Sequence, residues 1–245
     1  MRLRMLRLVV HLFAGMATCA FIFPFARHAK RQVLIQRWSA KLVAICGVSI
    51  EMHDVATASH ALIVANHINW LDIFVINALQ PCRFVAKSDI RSWPLIGWLC
   101  AKSGTIFISR GSARDVRRIY QALVKSIQQG ERVAFFPEGC TSEQGTVLPF
   151  HPNLFEAAVD AGVPVQPYAL RYTNSAGQLH EAVSFTGDTS FMDSLRMILK
   201  QGPIRVELMQ LPLMETDGLH RRDLAQQARV AIVKRLGYTE TPSLD

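Results

Sequence analysis

Apolar positions come first as one unbroken block and then as short runs separated by polar stretches. From Leu8 to Ala26 the chain runs nineteen residues without a formal charge, interrupted by His11 and Thr18 and flanked by Arg2, Arg4 and Arg7 before and Arg27, Lys30 and Arg31 after. A helix of that length can span a bilayer. A cleaved signal peptide and a deeply embedded interfacial helix are the competing readings, but Phe21 to Phe25 carries apolar character past the point where a small-residue cleavage site belongs, so a retained membrane anchor is expected. The cations after the run place the rest of the chain on the cytoplasmic face. Next, Leu34 or Ile35, Trp38, Leu42 and Ile45 recur at helical spacing, with Arg31, Arg37 and Lys41 elsewhere on the wheel. This is the pattern of a basic amphipathic helix, or of a surface helix covering a core.

Beyond residue 47 the pattern changes to strand-length apolar runs: Ala61 to Ala65, Phe84 to Ala86, Thr105 to Ile108, Val133 to Phe136, Val163 to Leu170 and Ile204 to Leu211. Between the third and fourth, Ser112 and Asp115 form a capping-box pattern. Val116, Ile119, Tyr120, Leu123 and Ile127 then mark one helical face, and Gly130 ends it. Further helices are predicted over about 69–79, 153–161, 189–200 and 219–236, the last closing at Gly237. Strands alternating with helices predict an α/β fold, a mixed central sheet flanked by helices, preceded by the N-terminal anchoring segment. The expected organisation is an anchor and amphipathic helix over 1–47, one catalytic domain over 48–238, and a loose tail over 239–245. No repeat or Pro/Ser-rich linker suggests a second domain.

Composition narrows the classes. With 245 residues, half of them hydrophobic and 19% charged, disorder and low-complexity architectures are excluded. A net charge of +8 suits an anionic partner, whether phospholipid, nucleic acid or acidic carrier. Five dispersed cysteines without a Cys-x-x-Cys suggest neither a disulfide framework nor a zinc site; no metal is expected.

The candidate chemistry starts directly after the first of these strands, where Asn66-His67-Ile68-Asn69-Trp70-Leu71-Asp72 places an imidazole and a carboxylate five positions apart. On one continuous helix His67 and Asp72 would not face each other, so His67 must lie in the turn with Asp72 reaching back from the first helical turn. Asp72 can then fix the imidazole tautomer and leave the other nitrogen basic. The pair has no nucleophile of its own and suits deprotonation of a substrate hydroxyl. Three further blocks follow: Gly104-Thr105-Ile106-Phe107-Ile108-Ser109-Arg110, then Phe136-Pro137-Glu138-Gly139, then Val165-Gln166-Pro167. Each alone has an ordinary structural reading: Arg110 as a solvated strand end, Glu138 as a turn residue, Pro167 as an edge-strand device.

In order and spacing the four blocks resemble the glycerolipid acyltransferase family, which includes 1-acylglycerol-3-phosphate acyltransferase. Asn66, His67 and Asp72 match its first block, and Gly104, Phe107, Ile108 and Arg110 its second. Phe136, Pro137, Glu138 and Gly139 open its third, and Val165 and Pro167 meet its fourth. The resemblance implies that His67 is the general base and Asp72 its partner, while Arg110, Glu138 and Gly139, with Gly104 and Thr141, bind the acceptor. It also implies transfer of an acyl chain from acyl-coenzyme A or acyl carrier protein to the hydroxyl of a lysolipid, with 1-acylglycerol-3-phosphate first, a membrane lipid environment, and no cofactor. The third block departs from the family at Cys140 and Thr141. A typical phosphatidic-acid-forming member has an arginine at 141, and often a lysine at His151. This departure brings lyso-ornithine lipid into view as an alternative acceptor.

Two other classes fit parts of the pattern. A lipid hydrolase could use the same pair, but no Gly-x-Ser-x-Gly elbow supplies a serine. A non-enzymatic protein binding anionic lipid or nucleic acid explains the charge but not an imidazole paired with a carboxylate at a strand end, so no nucleic acid is expected. Cys140 reads as a small residue in place of threonine rather than as a nucleophile. Trp93, Pro94, Leu95, Ile96, Trp98 and Leu99 read as core, with a lining for acyl-chain entry as the competing assignment.

Overall fold

The computed structural model describes residues 1–53, 60–108 and 113–239. The capping serine at 112, Arg110 and all of the tail but Thr239 lie outside the described residues, as do the side chains of Asp115, Val116 and Ile119.

Seven strands form the sheet: β1 (Val48–His53), β2 (Leu62–Ala65), β3 (Arg83–Lys87), β4 (Ile106–Ile108), β5 (Val133–Phe135), β6 (Val165–Thr173) and β7 (Ile204–Gln210). Their spatial order is β1-β7-β6-β2-β5-β3-β4. Strands β2 to β6 run parallel to one another, whereas β7 is antiparallel to β6 and parallel to β1, so the sheet is mixed.

Of the six predicted runs, all of which became strands, β2, β5 and β6 are buried on both faces, whereas β3 and the edge strand β4 are only partly covered. Along β2, Leu62 and Val64 enter one hydrophobic cluster while Ile63 and Ala65 enter the other, the two-residue period of a strand covered on both sides. On the face of Ile63 and Ala65 lie α2 (His28–Ile45), α3 (Leu71–Leu79) and α7 (Phe191–Lys200), through Val43, Val75 and Ile198. On the other lie α5 (Ala113–Gln128), α6 (Glu156–Ala161) and α8 (Arg221–Leu236), through Leu123, Ala158 and Ile232. Fully burying one such Leu or Ile contributes about 1.5–3 kcal/mol. Gly237 ends α8 in the left-handed conformation at φ +69°, as its place after the apolar face predicts.

Pro167 is not on an edge. It lies in β6, between β2 and β7, with its carbonyl accepting from Leu211 N at 2.9 Å. Proline is tolerated there because the Leu211 carbonyl opposite it, which would have taken the missing N–H, accepts from the Gln166 side-chain amide instead.

At the N-terminus, α1 (Arg2–Ala17) continues through a π-helical turn and a 3₁₀ turn to Phe25, then reverses into α2. The helical stretch Arg2–Phe25 is long and apolar enough to cross a membrane. His11 and Trp38 lock the hairpin: their rings stack at 4.7 Å, His11 Nε2 donates to the Trp38 carbonyl at 2.9 Å, and Trp38 Nε1 donates to the His11 carbonyl at 3.0 Å. Gly15 permits that contact, since a Cβ there would come within 2.5 Å of Trp38 Nε1. Arg4 donates to the carbonyls of Leu199 and Gln201, and Met5 and Leu8 pack on the core, so one side of α1 rests on the α/β body. Leu3, Leu6, Val10 and Phe13 stay exposed on the other side.

Candidate active site

Because β2, β5 and β3 are parallel, the residues that follow them gather at one end of the sheet. His67 follows β2 and Glu138 follows β5, its immediate neighbour. The chain turns at 66–70 because two asparagines replace backbone partners. Asn66, fully buried, donates Nδ2 to the Leu170 carbonyl at 3.0 Å and accepts from Leu170 N at 2.8 Å, closing the seam where β2 stops. Asn69 Oδ1 accepts from Leu71 N at 3.0 Å as α3 begins.

Asp72 sits in the first turn of α3 and reaches back. Its Oδ2 accepts from His67 Nδ1 at 2.8 Å, Ile68 N at 2.7 Å and Asn69 N at 2.9 Å, while Oδ1 accepts from the Tyr172 hydroxyl at 2.6 Å. The carboxylate is wholly buried, yet four donors satisfy it. An acceptor-only carboxylate at Nδ1 keeps the hydrogen on that nitrogen and leaves Nε2 with its lone pair. The Phe136 ring stacks on the imidazole at 3.9 Å, with 8° between planes, and Phe84 stacks behind Phe136 at 5.8 Å. The His67 side chain retains 17% exposure, so the ring is held yet reachable.

The third block clamps the backbone of the first. His67 N donates to Glu138 Oε1 at 2.7 Å, and the His67 carbonyl accepts from Ser142 N at 2.7 Å. Glu138 Oε2 accepts from Leu148 N at 2.8 Å, joining a second loop to the same carboxylate. Burial pushes the Glu138 carboxyl up to about 7 against the pull of these N–H donors. Gly139 turns the chain at φ +72°, and a Cβ there would approach His151 Cδ2 to 3.3 Å. Beside Phe136 a cleft of about 800 Å³ is lined by apolar Ile108, Leu123, Phe135 and Leu154 and also by Tyr120, His151 and the charged Arg117, Glu156, Asp160 and Arg221.

The remaining sequence candidates are placed differently. Thr141 donates its hydroxyl to the Phe185 carbonyl. Gly104 precedes β4, at the end of the parallel strands away from His67, where φ +91° and a 2.8 Å bond from Arg83 Nε to its carbonyl make it a turn residue. Cys140 is exposed. Tyr172, Phe136 as a stacking plane, Asn66 and Ser142 were given no role by the sequence; only the last three lie in or beside its blocks.

Residues 48–171, which carry this whole arrangement up to Leu170, match the family model described as Acyltransferase. The chain belongs to the acyltransferase family. This acyltransferase is 37% identical to a lyso-ornithine lipid O-acyltransferase of Pseudomonas aeruginosa over 87% of its own length and 82% of the relative's. It is 36% identical to a 1-acyl-sn-glycerol-3-phosphate acyltransferase of Neisseria meningitidis serogroup B, over 71% and 69% of the two chains. Its fold matches the crystal structure of the 1-acyl-sn-glycerophosphate (LPA) acyltransferase PlsC from Thermotoga maritima, with a TM-score of 0.67 over 98% of this chain and 99% of that one, at 18% identity.

Proposed function

We propose that the protein moves an acyl chain from an acyl thioester to the free hydroxyl of a lysolipid, with 1-acylglycerol-3-phosphate as acceptor and phosphatidic acid as product. The observation that carries this reading is the His67–Asp72 pair, oriented through Nδ1 and with Nε2 open. As the lysolipid oxygen attacks the thioester carbonyl, His67 Nε2 takes its proton. As the tetrahedral intermediate collapses, the C–S bond breaks and the imidazolium returns that proton to the leaving thiolate. Asp72 stabilises the transient positive charge on the ring, and Phe136 keeps the ring in plane. No enzyme-bound acyl group is required, since the substrate supplies the nucleophile. The cleft lined by Phe136, Pro137 and Gly139 supports the reading by offering room for substrate beside the Phe136 ring that stacks on the imidazole.

A second acceptor, lyso-ornithine lipid, is favoured by Thr141. Where the family pattern has a guanidinium, this chain has a hydroxyl bonded to a backbone carbonyl. The relative aligned over 87% of the chain carries the lyso-ornithine name.

The apolar stretch Arg2–Phe25 supports membrane association, and the docking of Arg4, Met5 and Leu8 on the α/β body favours a stretch lying with its exposed side in one leaflet, on the cytoplasmic face, over a helix that leaves the domain to cross the bilayer. Purified protein, labelled acyl-coenzyme A or acyl carrier protein, and each lysolipid in turn test the function. Labelled phosphatidic acid or ornithine lipid is expected; labelled free acid with no lipid product would overturn the reading.

A further inference from the structure

The segment between β3 and β4 was expected to be core and is instead surface. Trp93, Leu95 and Trp98 are 44%, 45% and 38% exposed, large apolar side chains within six residues, the first two in the turn that joins a 3₁₀ turn (Ser88–Ser92) to the short helix α4 (Ile96–Lys102) and the third on α4. Nor is the segment slack. Leu95 has φ +63°, the positive-φ residue other than glycine among the described residues, and a Cβ on Gly97 would fall 2.2 Å from the Arg91 carbonyl oxygen. The chain is folded tightly and with local strain, and the result is an outward-facing leucine between two tryptophans.

We propose that this surface is a second membrane-contact element, which seats the β3–β4 edge of the sheet on an anionic bilayer; the proposal rests on the lysolipid reading. Three observations favour a bilayer as the occupant. Tryptophan and leucine beside cations are the side chains that settle at the headgroup boundary, and here Lys87, Arg91 and Lys102 outnumber Asp89. Arg91 lies 5.8 Å over the Phe107 ring and Lys102 5.8 Å over Trp98, so the cations are held beside the apolar patch rather than apart from it. The surface also continues toward the apolar stretch Arg2–Phe25, because Lys102 lies within electrostatic reach of Cys19 in the π-helical turn. β3 runs parallel to β2 and β5, so the segment leaves the sheet at the end that carries His67 and returns through α4 to the other end, where β4 starts beside β3 at the edge of the sheet.

Two measurements on the full-length protein test it. With vesicles of anionic phospholipid brominated on the acyl chains, tryptophan fluorescence should be quenched more in the unmodified protein than in Trp93→Phe/Trp98→Phe, which keeps the aromatic packing; equal quenching in the two would overturn the proposal. Trp93→Ser/Leu95→Gly/Trp98→Ser should lose about tenfold in kcat/KM on lysolipid embedded in those vesicles while keeping its rate on a short-chain lysolipid dissolved as monomers. An equal loss on both substrates would mark a structural role and overturn it. A loss seen with acyl carrier protein as donor but not with acyl-coenzyme A would assign the surface to the carrier and overturn it likewise. Should no lysolipid be acylated in either form, the acyltransfer reading fails, and the quenching result still decides whether this surface meets lipid.

Discussion

Tyr172 donates its hydroxyl to Asp72 Oδ1 at 2.6 Å, joining β6 to the first turn of α3 across 100 positions of sequence. Both groups are buried, and the tyrosine hydroxyl is pushed well above its ordinary pKa by burial first and the neighbouring carboxylate second, so it remains a donor throughout the working range. Tyr172→Phe removes one of the four donors to Asp72. A hydrogen bond to a charged group contributes about 1.5–3 kcal/mol, so the variant should be measurably less stable to denaturant. It should also lose kcat, by about tenfold, with KM for lysolipid unchanged, because Tyr172 positions Asp72 and has no contact of its own with the imidazole. A variant with normal kcat would mean that the three bonds to Oδ2 suffice.

His67→Ala should abolish transfer and leave the fold in place, since the ring is partly exposed and its loss opens no closed cavity. Asp72→Asn should retain the shape but not the chemistry. An amide in that position cannot hold the imidazolium as a carboxylate does, and it presents N–H to donors that now have no acceptor. The expected loss in kcat is about 10²–10⁴-fold. Circular dichroism and thermal melting check the fold, and near-normal turnover in either purified variant would remove the pair from the mechanism.

Glu138 makes the site sensitive to pH through stability. Its carboxyl sits at about 7 in the folded protein against 4.5 for the free side chain, with burial as the larger cause. Between those values the folded state binds the proton more tightly than the unfolded chain, so this group's contribution is fully present below pH 4.5 and is lost as pH rises through 7. The melting temperature of the unmodified protein should therefore fall over that window relative to Glu138→Gln, which has no such titration. A difference between the two that stays flat from pH 4.5 to 8 would show that the carboxyl does not titrate there. Glu138→Gln should also lose activity, because a single amide oxygen cannot accept from both His67 N and Leu148 N, and one buried donor is left unpaired at a cost of about 1–3 kcal/mol.

The parts legible in the sequence were those with continuous or periodic burial. β2 and β6 are covered on both faces, so they read as unbroken apolar runs, and the helix ends at Gly237 followed from the last apolar residue. β1 escaped notice because Val48-Ser49-Ile50-Glu51-Met52-His53 is an edge strand largely open to solvent, whose alternation is short and weakly apolar. α4 escaped because it has seven residues, contains Gly97 and follows Pro94, so no helical period accumulates. The tryptophans of that segment were expected in the core for a sound reason, that aromatic residues usually bury; their exposure is information only the fold supplies. Tyr172 is the clearest case of what spacing cannot carry. Its strand was legible, but its partner lies 100 positions away, and a tyrosine inside a buried strand looks like packing until the carboxylate facing it is seen.

The acceptor headgroup is the remaining choice, and Thr141 is the position on which to test it. Its hydroxyl is bonded to the Phe185 carbonyl, so it ties the third block to the 183–185 segment and has its one donor already engaged. Thr141→Arg gives up that bond, exchanging a neutral hydrogen bond for a guanidinium in the loop that follows Glu138 and Gly139. A guanidinium binds a phosphomonoester bidentately and with charge assistance, while it gains less from a headgroup that carries its own ammonium. In competition between 1-acylglycerol-3-phosphate and lyso-ornithine lipid, kcat/KM should shift toward the phosphate-bearing acceptor by about tenfold, equivalent to one charge-assisted hydrogen bond of about 1.4 kcal/mol. The conservative Thr141→Ser keeps the hydroxyl and should leave the ratio where it was, which separates a headgroup effect from damage to the loop. If Thr141→Arg is stable and active but the ratio does not move, the headgroup lies out of reach of this loop, and the lyso-ornithine reading loses the structural feature that favours it.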